Sequence, residues 1–133
     1  IYYGTSGDTP LAFDLDGDGR ADPAIYRSSS GLWAVRNVSR FYFGGSSDQP
    51  VPAYYWYALR TAPAIYRSAS GLWAVRGVTR AYFGGLSDIP VPADYGGNLR
   101  DRIAIFRGSS GLWAVRGGTR VYFGGGADIP VTR

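Results

Sequence analysis

Apolar positions in this chain come in runs a few residues long, separated by turn-forming residues. Within residues 32–36, Trp33 and Val35 point one way and Leu32 and Ala34 the other, so both faces of the predicted strand are apolar. A strand of that kind belongs to a sheet covered on both sides. Residues 10–13, 24–27 and 40–43 read as three more strands around it. The Ser28-Ser29-Ser30-Gly31 stretch separates the second strand from the third, and Gly31 can supply a positive φ there. A turn at Asn37-Val38 separates the third from the fourth. Its counterparts, Gly77-Val78 and Gly117-Gly118, put glycine at the first central position, as tight hairpin turns favour. No stretch carries a helical period.

The pattern repeats. Gly31-Leu32-Trp33-Ala34-Val35-Arg36 recurs unchanged at 71–76 and at 111–116, a spacing of 40 residues both times. Tyr42-Phe43-Gly44-Gly45 returns as a Tyr-Phe-Gly-Gly motif at 82–85 and 122–125. Asp48-Gln49-Pro50-Val51 returns as Asp88-Ile89-Pro90-Val91 and Asp128-Ile129-Pro130-Val131. Four antiparallel strands in each period of about 40 residues describe a β-propeller blade. The expectation is a single all-β repeat domain over residues 1–133, built of tandem four-stranded antiparallel blades at about 6–45, 46–85 and 86–125. Trp33, Trp73 and Trp113 are expected in the core between blades. Tyr2-Tyr3-Gly4 aligns with Tyr42-Phe43-Gly44, and residues 129–132 align with a first strand, so partial strands are expected within 1–5 and 126–133. Three blades fall short of the roughly four that a closed propeller needs. The chain is therefore expected to be part of a longer array or to be completed by copies of itself.

Composition narrows the chemistry. The chain has no Cys, His, Met, Lys or Glu; its 14 basic residues are all Arg and its 10 acidic residues all Asp. Without Cys there is neither a disulfide framework nor a thiolate metal site, which suits an exported protein. The common nucleophile–base pairings cannot be built, so an enzyme is not expected. Net charge is +4, but the arginines recur once per repeat, at Arg27, Arg36, Arg40 and their equivalents. They do not form one basic run interleaved with aromatics, so nucleic acid is not an expected partner. Some are expected to pair with Asp48, Asp88 and Asp128. No apolar run is long enough to insert in a membrane as a helix.

The strongest motif is Asp14-Leu15-Asp16-Gly17-Asp18-Gly19-Arg20-Ala21-Asp22. Carboxylates fall at positions 1, 3, 5 and 9 of the loop, and the Arg20 carbonyl is available at position 7. Hard oxygen ligands at alternate positions of a tight loop are what Ca²⁺ needs, and four carboxylates this close would repel one another without a cation. An EF-hand would need a bidentate Glu at position 12, where this chain has Ile25 inside a strand pattern. Mg²⁺ rarely uses a dedicated all-protein cage, so the expectation is one Ca²⁺ at Asp14, Asp16, Asp18, Arg20 and Asp22.

Residues 14–22, followed by Pro23-Ala24-Ile25-Tyr26-Arg27, resemble the calcium loop of FG-GAP and VCBS-type repeats, the blades of integrin-like β-propellers. The Phe-Gly-Gly motifs at 43, 83 and 123 and the Ile89-Pro90-Val91-Pro92-Ala93-Asp94-Tyr95 stretch fit the same repeats. The resemblance implies a blade with a calcium loop between its first two strands, in a mostly non-catalytic family of secreted and cell-surface proteins.

The later repeats depart from the motif. Positions 1, 3, 5 and 9 become Tyr54, Trp56, Ala58 and Ala62 in the second, which offers no carboxylate. In the third they become Asp94, Gly96, Asn98 and Arg102, with Asp101 one place early. The second loop presents Tyr54, Tyr55, Trp56 and Tyr57 in a row: a contact surface for a glycan or a protein, or else a staple folded inward in place of the metal. The functional expectation is an extracellular calcium-binding structural or cell-adhesion module, self-associating through its terminal strands into a filament or ring. The alternative is a lectin-like glycan- or protein-binding module of a longer secreted protein.

Overall fold

A computed structural model describes residues 1–56 and 60–132 of the chain. Among these residues there is no helix, and the strands form three four-stranded antiparallel sheets. Sheet I holds β1 (Thr9–Phe13), β2 (Asp22–Arg27), β3 (Leu32–Val35) and β4 (Ser39–Tyr42). Sheet II holds β5 (Gln49–Pro50), β6 (Ala64–Arg67), β7 (Leu72–Val75) and β8 (Thr79–Tyr82). Sheet III holds β9 (Asp88–Pro90), β10 (Ala104–Arg107), β11 (Leu112–Val115) and β12 (Arg120–Tyr122). In each sheet consecutive strands are neighbours, and the register repeats: Tyr26 faces Trp33, Tyr66 faces Trp73 and Phe106 faces Trp113.

Local chemistry explains the turns. The Gly31 N–H closes the β2–β3 turn on the Arg27 carbonyl at 2.8 Å, and the Phe43 N–H bonds back to the Gly31 carbonyl at 2.8 Å. A Cβ at Gly31 would run into the Gly44 carbonyl oxygen, so the close approach of these backbones admits glycine alone. The β3–β4 connection is a three-residue loop, since Val35 and Ser39 are paired, and its middle residue takes a positive φ: Asn37 at 61°, Gly77 at 72° and Gly117 at 68°. Asn tolerates that region better than other side chains, which is why the first repeat manages without glycine.

Packing follows from the two apolar faces. Trp33 is fully buried, stacks on Phe41 at 5.8 Å, and lies in one cluster with Ile65 and Ala74 of sheet II. Trp73 is fully buried in a second cluster with Ile105, Leu112 and Ala114 of sheet III. Each tryptophan Nε1–H donates to the carbonyl of the Phe ten residues on, at 2.9 Å for Phe43 and 2.9 Å for Phe83. No further sheet covers the Trp113 face among the described residues, and Trp113 keeps part of its surface in water.

In each sheet a buried carboxylate at or just before the start of the first strand pairs with the arginine that ends the second. Arg27 grips Asp8, Arg67 grips Asp48 and Arg107 grips Asp88, each through Nε and Nη2, with Nε–Oδ1 distances of 2.7 Å. The expected pairing thus holds for Asp48 and Asp88, and Asp8 joins the series 40 residues earlier. Asp128 caps the Gly125 N–H at 2.7 Å but has no arginine partner among the described residues.

Partial strands are expected within 1–5 and 126–133. Among the described residues, 1–5 and 126–132 carry no strand, for a strand requires a ladder partner; Ile129 and Val131 are 85% and 83% exposed. Later first strands are also short, continued only by the single bridges Ala53–Ala62 and Ala93–Arg102.

Two outcomes test this packing. Trp73→Ala should cost about 3–5 kcal/mol in chemical denaturation, and Trp113→Ala clearly less, because the latter residue is partly solvated already. The hydrogen bonds from Arg27 lower the Asp8 carboxyl from 3.8 to about 2. A depressed folded-state value stabilises the fold above pH 3.8, and that contribution is lost as the pH falls through about 2. Asp8→Asn should flatten the acid limb of stability against pH over this window.

Candidate metal centre

The Asp14–Asp22 loop connects β1 to β2 and turns on its own first carboxylate. Asp14 is 5% exposed, and its Oδ1 accepts the Gly17 N–H at 2.6 Å and the Asp18 N–H at 3.2 Å, while Oδ2 accepts the Gly19 N–H at 2.8 Å. Burial pushes the Asp14 carboxyl up, but these three N–H groups outweigh it and hold its pKa below the ordinary 3.8. Asp16 accepts the Asp18 N–H at 3.1 Å, and Asp18 accepts the Arg20 N–H at 2.8 Å. Gly17 and Gly19 make this curl possible with φ of 82° and 86°.

The loop brings one oxygen each of Asp14, Asp16 and Asp18 within 4.8 Å of one another. Oxygens bound to one Ca²⁺ at 2.3–2.6 Å stand no more than about 5 Å apart, so the spacing suits a shared cation. Asp16 and Asp18 are exposed, as ligands reachable from solvent must be. Asp22 lies outside that group, but its Oδ2 is buried without a hydrogen-bond partner among the described residues. A buried carboxylate oxygen left so is costly unless a cation or donor arrives. Arg20 is exposed, with its N–H spent on Asp18. A cation already stands nearby: a Cβ on Gly17 would meet the Arg60 Nε at 3.4 Å, so the second loop leans a guanidinium against the first.

The third loop keeps the turn and retains fewer oxygen ligands, Asp94 and Asn98. The Asp94 carboxylate accepts the Leu99 N–H at 2.9 Å and the Asn98 N–H at 3.1 Å, and these bonds lower its pKa. Leu99 adopts a φ of 62° where the first loop has Gly19. Over Gly96 lies the Arg102 guanidinium, 3.1 Å from where a Cβ would stand. Asp101 is not a displaced ligand. Its Oδ2 accepts the Tyr54 N–H at 2.8 Å, and its own N–H donates to the Tyr54 carbonyl at 2.7 Å. The Thr61 N–H makes the same bond to the Asp14 carbonyl at 2.9 Å, one repeat earlier. Position 8 of each later loop is thus the link to position 1 of the loop before, a role invisible until the loops are side by side. Loops one and three border a cleft of about 540 Å³ with Tyr54 between them.

The aromatic run divides. Tyr55 is 3% exposed and donates its hydroxyl to the Val51 carbonyl at 2.7 Å, which removes it from the candidate contact surface and makes it the loop's staple. Burial raises its pKa well above 10, with Asp101 adding to the effect. Tyr95 repeats the bond to Val91 at 2.7 Å in the third loop. Trp56 is 56% exposed and Tyr54 is at the edge of the cleft, while Tyr57 lies outside the described residues. Alternation of side chains on an extended segment turns neighbours to opposite sides, so a run of aromatics cannot all face outward.

No family model, curated protein or solved structure matches the chain.

Tyr55→Phe should lower stability by about 1 kcal/mol, since it strips a buried carbonyl of its donor. Trp56→Ala should leave the unfolding midpoint within about 0.5 kcal/mol of the parent, as for an exposed side chain.

Proposed function

We propose that the chain is a non-catalytic, calcium-binding repeat module with a structural or adhesive role outside the cell. The observation that carries this reading is the convergence of Asp14, Asp16 and Asp18 within 4.8 Å in the loop between β1 and β2. The orphaned Asp22 Oδ2 supports it further. Asp14, Asp16, Asp18 and Asp22 would hold the ion by their carboxylates and Arg20 by its carbonyl. The bound ion would supply charge neutralisation, fastening the β1–β2 hairpin. The resemblance of residues 14–27 to FG-GAP and VCBS-type repeats supports the extracellular setting, and the lack of His, Cys, Lys and Glu supports a non-catalytic role. Self-association through the terminal segments belongs to the same reading: among the described residues neither segment has a strand partner, and open strand edges recruit other chains.

A second reading, a lectin-like glycan- or protein-binding module, is favoured by Trp56. This exposed ring borders two clefts of about 580 and 530 Å³, on either side of the second loop. Quenching of tryptophan fluorescence by a glycan library, lost in Trp56→Ala, would favour it.

Calcium decides the first reading. At a free concentration a hundredfold above its dissociation constant it should add about 2.7 kcal/mol of stability. Asp16→Ala or Asp18→Ala should abolish most of the gain, and titration calorimetry should find one ion per chain. Equal melting temperatures in calcium and in chelator would overturn the metal assignment.

A further inference from the structure

The interface between neighbouring sheets occurs twice with the same parts. On the giving side stand Trp33 and Phe41, then Trp73 and Ala81. On the receiving side stand Ile65, Leu72 and Ala74, then Ile105, Leu112 and Ala114. A glycine at φ 90° presses on the receiving isoleucine: a Cβ on Gly44 would lie 2.9 Å from the Ile65 Cγ2, and one on Gly84 2.9 Å from the Ile105 Cγ2. Four residues beyond it, Asp48 or Asp88 enters the receiving arginine.

Sheet III repeats the giving side, and among the described residues no sheet lies on it. Val121, which replaces Phe41 and Ala81, is 53% exposed, and Phe123 is 78% exposed. Gly124 has the same φ of 90°, and Asp128 already caps the Gly125 N–H at 2.7 Å as Asp48 caps Gly45 at 2.9 Å. Among the described residues no guanidinium meets this carboxylate. Sheet I repeats the receiving side with the same residue types: Ile25, Leu32, Ala34 and Arg27. Two residues of 2–8, a stretch that shares the Tyr, Gly and Asp positions of 122–128, already meet it: Gly4 at φ 91° stands against the Ile25 Cγ2, and Asp8 pairs with Arg27.

We infer that the Trp113 face of sheet III docks on sheet I of a second copy of this chain, with Asp128 displacing that copy's own Asp8 from Arg27. The occupant is fixed by continuity, because the receiving residues of sheet I are those that already accept Trp33 and Trp73 faces within the chain. It is fixed by charge as well, since Arg27 is the counterpart of the arginines that hold Asp48 and Asp88. Residues 2–8 act as an internal competitor for the receiving surface, so docking is an exchange of one segment for its near-duplicate. The contact joins unlike surfaces, and it therefore propagates into a fibre or closes into a ring. The inference rests on the self-association reading and names its surface, independently of calcium.

Sedimentation velocity of the full chain over a wide concentration range tests it. The wild type should associate reversibly. Val121→Arg combined with Phe123→Arg changes side chains that are exposed in the single chain, so it should leave the circular dichroism melt intact and abolish association. Asp128→Asn should weaken association about tenfold or more, by loss of a charge-assisted pair, and Asp8→Asn should strengthen it by freeing Arg27. A wild type that stays monomeric at millimolar concentration overturns self-association as a whole. Association unaffected by the double arginine variant leaves self-association standing and overturns this surface. An Asp8→Asn variant that associates no more strongly than the wild type, or an Asp128→Asn variant that associates no more weakly, overturns the exchange.

Discussion

A four-stranded sheet with apolar side chains on both faces cannot stand in water by itself. Each sheet here is of that kind, with Trp and Val on one side of its third strand and Leu and Ala on the other. Stability must therefore come from neighbours, as in any array whose units bury their faces only against one another. The two fully buried tryptophans, Trp33 and Trp73, mark where that requirement is met. Trp113, Val121 and Phe123 mark where the same surface is left open. The position of an element in the array, more than its own sequence, decides whether it is core or surface.

Within each sheet the arginine–aspartate pair fixes the first strand against the second. Each carboxylate is almost wholly buried and each guanidinium about two-fifths exposed, so a slipped strand would strand a charge away from water. The same residue also caps the turn that delivers it, as Asp48 does with the Gly45 N–H. Turn and register thus depend on one side chain per repeat. Tyr26 and Tyr66 add a hydroxyl bond to the Gly45 and Gly85 carbonyls beside it, a bond Phe106 cannot make.

At one end of the sheets the three loops are laced together by backbone bonds between position 1 of one loop and position 8 of the next. Within that lacing each loop answers the problem of its own charges differently. The first gathers three carboxylates. The second has none and relies on the buried Tyr55 hydroxyl. The third keeps the Asp94 cradle and lays Arg102 over it.

The sequence by itself determined the repeat, the strands and the acidic loop, because these depend on short-range properties. Alternation puts Trp33 and Leu32 on opposite faces whatever surrounds them, and the 40-residue spacing carries the inference to every repeat. The curl of the Asp-Gly loop is equally local, since the Asp14 carboxylate accepts its N–H groups from within five residues of itself. What only the tertiary structure decided were relations between repeats. Asp101 looked like a ligand out of place, and its true role as a bridge to Tyr54 needed two loops in contact. The run from Tyr54 to Trp56 looked uniform, and burial divided it. Asp8 became the first of a series only when Arg27 was seen to hold it as Arg67 holds Asp48. The terminal segments match strands in their residue pattern, yet among the described residues they form none, because a strand is completed by a hydrogen-bonding neighbour and not by the residues that compose it.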